Sequence, residues 1–313
     1  MNTKYFLIAL LVVLLAGGSF YYFTQNNTSY TKVDEKEVGE SVSTTTINNL
    51  PEEEEENIAT TTETVRGPES IIGQSVSGNE IKAYHFGDGE NEIMFIGGIH
   101  GGYSRNTTAL AFEMIDWLKK NPSAVPDKVT VTVIPVLNPD GLEKVTGKTE
   151  RFTAADVKKS TAIQTEGRFN ANGVDLNRNF NCEWQSVGTW QSREVSGGKS
   201  VFSEPESQAI RNYVETNKIA AAITWYSAEG SVYASNCKGG ISPATKTLTD
   251  LYAKATGYKA EQNFDHYKIT GDMVNWFASQ NIPAISVLLT THDQTEWSKN
   301  QAGVEAVLKQ YGE

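Results

Sequence analysis

From Ile71 onward, short β-branched apolar runs alternate with amphipathic helical stretches, and this alternation restricts the fold more than any other feature of the chain. Elements in that order bury their apolar faces by building a parallel or mixed sheet with helices on both sides. Residues 92–99 (EIMFIGGI) read as a buried strand ending in glycines. The stripe Leu110, Ala111, Met114, Ile115 and Leu118 predicts a helix over 106–120, with Asn106 as its cap. Residues 129–137 (VTVTVIPVL) predict a second strand, closed by a turn at Asn138-Pro139-Asp140-Gly141. Ser203-Glu204-Pro205-Glu206 reads as a capping box with an early proline, opening a helix to about Asn217. A strand over 220–227, a helix from Ser242 to a stop at Gly257, a short helix over 271–280, a strand over 284–291 and a final helix after Thr295 complete the pattern. The expected architecture is α/β: a mixed, mostly parallel twisted sheet covered by helices on both faces, spanning residues 71–313. In such folds ligands gather at the carboxyl ends of the strands, so the residues just after each strand are the candidates for a site.

The first 70 residues follow other rules. Lys4 precedes an apolar run over 5–23 that closes with Tyr21, Tyr22 and Phe23. That run is long enough to cross the roughly 30 Å hydrocarbon layer as a helix. Its flanks favour a cytoplasmic start and an aromatic far interface. The expectation is a single-pass signal anchor over 1–23. The alternative is a cleavable signal peptide, cut near Ala16-Gly17-Gly18-Ser19. A lipoprotein anchor is excluded, because this region has no cysteine. Residues 24–70 are rich in Thr, Ser, Asn and Glu and include the acidic run 52–56, which is the composition of a disordered stalk. The stalk holds most of the acidic excess of a chain with 38 Asp and Glu against 27 Lys and Arg. With no Lys/Arg stripe anywhere, a nucleic-acid partner is not expected. The remaining partner of the N-terminal run is the membrane, and the C-terminal domain is expected outside it. In that oxidising setting, Cys182 and Cys237 point to a disulfide, with two separate buried thiols as the alternative.

His100 sits among glycines in Gly97-Gly98-Ile99-His100-Gly101-Gly102. An oxyanion loop of the His-Gly-Gly type would need a Gly-x-Ser-x-Gly elbow, and the chain has none. The more informative stretch is 167–180 (GRFNANGVDLNRNF), which follows Asn138-Pro139-Asp140-Gly141 and precedes a strand ending in Ser227, then Tyr267, Trp276 and Ile282-Pro283-Ala284. In that order and spacing, residues 71–313 resemble the zinc carboxypeptidases. The resemblance implies a zinc ion held by His, Glu and a second His, with a further Glu activating the zinc-bound water. It also implies arginines for the oxyanion and the substrate's terminal carboxylate, and a tyrosine that caps the site.

Carried over by position, Arg168 matches the oxyanion arginine, and Asn177 with Arg178 the carboxylate-binding pair. Tyr267 matches the capping tyrosine. Val274 falls at the floor of the side-chain pocket, which implies an apolar terminal residue. The metal half departs from the pattern. His100 keeps the first ligand position, but Tyr103 and Ser104 stand where the glutamate belongs, Ser104 being taken as its replacement. Tyr226 replaces the second histidine, and Leu288 the general base. Removing a dication together with two glutamates leaves the local charge unchanged, so Arg168 and Arg178 are expected to dominate the cleft. His85, His266, His292, Glu229 and Asp293 are the other groups from which a metal site would be rebuilt.

Three readings follow. The first is a catalytically inactive domain, with zinc absent or weakly bound, that holds carboxyl termini of peptides or peptidoglycan stems. The second is an active metallocarboxypeptidase with a rebuilt site. The third is a structural interaction module.

Overall fold

A computed structural model describes residues 67–313; the expected anchor and the stalk up to residue 66 lie outside the described residues. Two antiparallel strands come first, β1 (Glu69–Gln74) and β2 (Glu80–Phe86). The folded part thus begins inside the segment assigned to the stalk. The Pro68 carbonyl accepts the His85 N–H, and Ser70 Oγ bonds His85 Nε2 at 2.8 Å, which ties these residues to the sheet.

β3 (Asn91–Ile96) leads into helix α1 (Arg105–Lys120), and β4 (Val129–Ile134) into α2 (Pro139–Thr146). After α3 (Thr161–Glu166) come the hairpin β5 (Val187–Trp190) and β6 (Arg193–Ser196), then α4 (Pro205–Thr216), β7 (Ile219–Ser227) and β8 (Ser231–Ala234). The chain closes with α5 (Pro243–Thr256), β9 (Lys259–Glu261), α6 (Met273–Ser279), β10 (Ala284–Leu289) and α7 (Trp297–Gly312). Eight strands form one sheet in the order β1-β2-β4-β3-β7-β10-β8-β9. The central four, β4, β3, β7 and β10, are parallel. The expected mixed α/β sheet is therefore present.

Period-two alternation divides β3 between two cores. Ile93 and Phe95 pack with α1, α5 and α7 on one face, through Leu110, Tyr252 and Val304. Met94 and Ile96 pack with α4 and α6 on the other, through Ile210, Met273 and Phe277. Both faces of the central strands are dry, which explains their unbroken apolar runs. No helix among the described residues is long and apolar enough to cross a membrane.

Three local expectations change. The turn at Asn138 is the start of α2: the Asn138 side chain accepts the Gly141 N–H at 2.8 Å, and Pro139 takes the first helical position. The capping box at Ser203 does not form. Glu206 is drawn inward, accepting from the Val76 N–H and from the Asn170 amide, and Ser203 Oγ donates to Glu204. Asn106 does not cap α1; its amide donates to the Thr291 and Gln294 carbonyls, and its oxygen accepts from Ser227 Oγ. At Glu206 and Asn106 a long-range partner outcompetes the local one.

Candidate ligand-binding cleft

His100, Tyr226 and Leu288 follow or end β3, β7 and β10, so the parallel strands deliver them to one end of the sheet. There they line a cleft of about 590 Å³ together with Arg168, Asn177, Arg178 and Tyr267. All but two of the expected site residues meet in this place.

The two arginines differ in what holds them. Arg168 is 3% exposed and bonds the fully buried Asp175 through Nε at 2.9 Å and Nη2 at 2.8 Å. Its guanidinium also stacks 4.4 Å from the Trp190 ring. Burial alone would raise the Asp175 pKa, but the facing Arg168 charge, with Arg178 and His100, overrides it and lowers the pKa to about 2. Arg168 is thus a neutralised pair member, and the expectation that both arginines dominate the cleft is corrected.

Arg178 is 1% exposed. Its Nε and Nη2 donate to the Thr189 carbonyl at 3.1 and 2.7 Å, and its Nη1 to the Asn177 carbonyl at 2.7 Å. Of the five guanidinium N–H groups, one on each terminal nitrogen has no protein acceptor. Among the described residues no carboxylate lies within salt-bridge distance of it, although Asp272 is near enough to feel its charge. The Tyr267 ring stands 5.9 Å from the guanidinium. Asn177 is engaged at both side-chain atoms: Nδ2 donates to Asp272 at 2.7 Å, and Oδ1 accepts from Tyr226 Oη and the Met273 N–H.

The segment that carries Arg178 is sewn to the loop before α6. The Phe180 N–H donates to the Gly271 carbonyl, and the Gly271 N–H to the Cys182 carbonyl. A Cβ on Gly271 would lie 2.1 Å from the Arg178 carbonyl oxygen, and its φ of +63° also favours glycine. The Cys182–Cys237 disulfide, with a Cα–Cα distance of 5.9 Å, fixes the same segment to the chain after β8. The two cysteines are paired, as the first of the two sequence alternatives held.

The metal half of the site is different in kind. His100 is 5% exposed, and among the described residues neither ring nitrogen has a hydrogen-bond partner. Burial, and then the Arg168 charge, hold its pKa well below the usual imidazole range, so it is neutral. Asp175 Oδ1 lies 3.7 Å from Nε2, beyond hydrogen-bond reach, and Asp175 already accepts from Arg168 and the Asn177 N–H. The Tyr226 ring is 5.4 Å from the His100 ring. Burial keeps its phenol protonated, with a pKa raised well above 10. Ser104 is not in the cleft at all. The chain turns through 100–104 so that Ser104 occupies the cap position of α1, 1% exposed, and Tyr103 lines the cleft instead. Leu288 supplies hydrocarbon where the general base belongs. Among the described residues no three His, Cys, Asp or Glu side chains converge to hold a metal ion. One imidazole, two protonated phenols and a leucine do not make a zinc donor set, so the residues do not fit the zinc that the resemblance implies.

Of the other rebuilding candidates, His85 and Asp293 lie elsewhere, His266 and Glu229 are bonded to each other, and His292 lines the cleft with its Nδ1 buried and, among the described residues, without a hydrogen-bond partner. His85 is in β2, bonded to Ser70 and Thr132. Asp293 pairs with Arg105. His292 lines the cleft edge-on to Tyr103. His266, Glu229 and Tyr233 form one bonded cluster in the cleft lining. Val274 is corrected: it is 1% exposed in the core below α6, and its neighbours Asp272 and Asn275 face the cleft. The helical phase of α6 turns Val274 inward and its polar neighbours outward, which an expectation by spacing did not take into account.

The sequence reading gave no role to Asp175, Asp272 or Trp190. Asp175 lies within the 167–180 stretch, where an acid seven residues after an arginine was a visible signal. Asp272 precedes α6 and accepts the Asn275 N–H as its cap, also a readable pattern. Trp190 had no signal, since it arrives on the β5–β6 hairpin, which has no strong strand pattern.

Comparisons with known proteins agree with this geometry. Over 171 residues, 52% of this chain, it is 29% identical to a carboxypeptidase B of Helicoverpa zea, covering 38% of that protein. It is 22% identical over 215 residues, 63% of this chain, to the gamma-D-glutamyl-L-diamino acid endopeptidase 1 of Lysinibacillus sphaericus, covering 54% of it. The matched stretches thus span about half or less of these relatives. In fold, the chain is similar to bovine thrombin-activatable fibrinolysis inhibitor, with a TM-score of 0.62, 18% identity, and 78% of this chain and 89% of that one covered. It is also similar to the murein-tripeptide amidase of Escherichia coli O157, with a TM-score of 0.53, 17% identity, and 76% and 92% covered. A family model described as zinc carboxypeptidase matches residues 57–299, and with the sheet order and the 167–180 motif in place, the chain belongs to the zinc carboxypeptidase family.

Proposed function

We propose that this domain captures the carboxyl termini of peptides without hydrolysing them. The observation that carries the reading is Arg178, a buried cation at the cleft whose hydrogen-bond partners among the described residues are two neutral carbonyls. A buried guanidinium with no carboxylate in salt-bridge distance is only partly compensated by the longer-range charges of Asp272 and Asp175, and a ligand carboxylate completes it with a charge-assisted, two-pronged bond. Hydrolysis is left out because Leu288 offers no general base and the cleft offers no metal donor set.

Stem peptides of peptidoglycan are the ligands we favour. One similar structure is a murein-tripeptide amidase, and one relative is named for γ-glutamyl-diamino acid peptides. The apolar run over 5–23 and the oxidised Cys182–Cys237 pair support display outside a membrane, on the acidic stalk. In this reading the membrane is a partner through the N-terminal helix.

The test is calorimetric titration of the full-length chain with acetylated peptides as free acids and as carboxyl-terminal amides. We expect the acids to bind and the amides to bind at least roughly tenfold more weakly, since a charge-assisted bond is worth about 1.5–3 kcal/mol. Equal binding of acid and amide refutes the reading, and so does chelator-sensitive cleavage of the peptide.

A further inference from the structure

Beside Arg178 the cleft wall between β10 and α6 is polar. β10 contributes Ser286 and Leu288, two residues apart and therefore on one face of the sheet. Ser286 lies one pleat farther from the strand end than Leu288, opposite Tyr233 of β8. The start of α6 contributes Asp272 and Asn275, and the chain after β8 contributes Asn236. Val274, which the resemblance places at the pocket floor, is in the core instead.

A run of hydrogen bonds joins this wall to the ligand's expected anchor. The Asn177 carbonyl holds Arg178 Nη1 at 2.7 Å, and Asn177 Nδ2 donates to Asp272 at 2.7 Å. Asp272 accepts the Asn275 N–H at 2.8 Å, and Asn275 Oδ1 accepts the Asn236 N–H at 2.9 Å. That last bond fixes the two ends of the Asn275 amide: the oxygen is used within the protein, and Nδ2 is left over. Among the described residues Asn275 Nδ2 has no acceptor and is not sealed from solvent, and the same holds for Ser286 Oγ. Both residues are half-buried in the cleft lining. Asn275 follows Asp272 by three residues, about 4.5 Å of helix rise, which a side chain of glutamine length spans.

Such open donors are solvated while the cleft is empty. An aliphatic side chain entering here strips their water and returns no bond, whereas a side-chain carbonyl replaces the water. An ammonium brings only donors, which Asn275 Nδ2 cannot use. A carboxylate side chain meets the Asp272 carboxyl. A carboxamide brings an acceptor for Nδ2 and an N–H for the Ser286 hydroxyl.

We propose that Asn275 is a specificity-determining residue, whose Nδ2 donates to the side-chain carbonyl of the ligand's terminal residue, so that the cleft selects carboxyl termini bearing a carboxamide side chain over aliphatic ones. This inference rests on the carboxyl-terminus reading above, and it replaces the apolar terminal residue that the resemblance implies.

The full-length chain is titrated calorimetrically with acetyl-alanyl-glutamine and acetyl-alanyl-methionine, whose side chains are of similar length, and with the lysine and glutamate peptides. We expect wild type to bind the glutamine peptide tightest, and roughly 3- to 10-fold tighter than the methionine peptide, the range for one net hydrogen bond. In Asn275→Leu the glutamine preference disappears while the methionine peptide still binds. Asn275→Asp keeps the oxygen that Asn236 uses and turns the open donor into an acceptor, so the lysine peptide overtakes the glutamine peptide. Equal or tighter binding of the methionine peptide by wild type overturns the inference and leaves the carboxyl-terminus reading standing. So does tightest binding of the lysine or glutamate peptide by wild type, or a glutamine preference that survives in Asn275→Leu. Failure of wild type to bind any of the four overturns both readings. If Asn275→Leu loses its circular-dichroism signature, Asn275→Asp decides, and an unchanged order of the four peptides there overturns the inference.

Discussion

Replacing each buried arginine by methionine separates the two roles argued for them. Methionine keeps the stem volume and removes the charge. In Arg168→Met, Asp175 is left fully buried with the Asn177 N–H, the longer-range Arg178 charge and a neutral imidazole 3.7 Å away. Removing one partner of a buried pair costs about 3–5 kcal/mol, because the other charge stays behind. In Arg178→Met, no carboxylate in salt-bridge distance is orphaned. The loss falls on the Thr189 and Asn177 carbonyls, at about 0.5–1.5 kcal/mol for each hydrogen-bonded acceptor, and removal of a buried charge that has no salt-bridge partner offsets part of it. The expected result is a large stability loss for Arg168→Met and at most about 1–2 kcal/mol for Arg178→Met. Binding should follow the opposite order per unit of stability: Arg178→Met folds and no longer distinguishes free-acid from amidated peptides. Urea unfolding at pH 7, followed by tryptophan fluorescence and fitted with a common m-value, measures the first quantity, and calorimetry the second. Equal destabilisation by the two substitutions, or carboxylate selectivity retained in Arg178→Met, would refute the assignment of one arginine to the fold and the other to the ligand.

Two further outcomes follow from the same geometry. Purified full-length chain incubated with excess zinc and then desalted should carry well under one zinc per chain by elemental analysis; near one would mean that His100 has found donors other than those around it. Glu206, buried between β1–β2 and the 168–172 loop, has its pKa pushed up to about 7, first by burial, with the Asp140 charge adding to it. The folded chain therefore holds a proton that the unfolded chain releases between about pH 4.5 and 7, so stability falls as pH rises through that window and is level above it. Glu206→Gln should flatten this slope in urea titrations, and an unchanged slope would contradict it.

The sequence by itself determined the sheet class and the family motif, because both are written in local terms: runs of β-branched residues, a glycine-rich strand end, and the 167–180 stretch. It also made Tyr226 and Leu288 visible at the positions where the resemblance implies a zinc ligand and a general base. It did not determine the charge balance of the cleft. Arg168 and Arg178 look alike in sequence, and only the fold places Asp175 against one and neutral carbonyls against the other. Nor did spacing place Ser104 or Val274 correctly. One is carried out of the cleft by the turn over 100–104 that leads into α1, and the other is rotated into the core by α6, because helical phase moves each residue by about 100° relative to its neighbour. The caps at Asn106 and Ser203 failed for a related reason. Side chains that locally favour a helix end were claimed by Ser227, Val76 and Asn170, partners that become neighbours only once the sheet has formed, when burial makes a satisfied long-range bond stronger than a solvated local one.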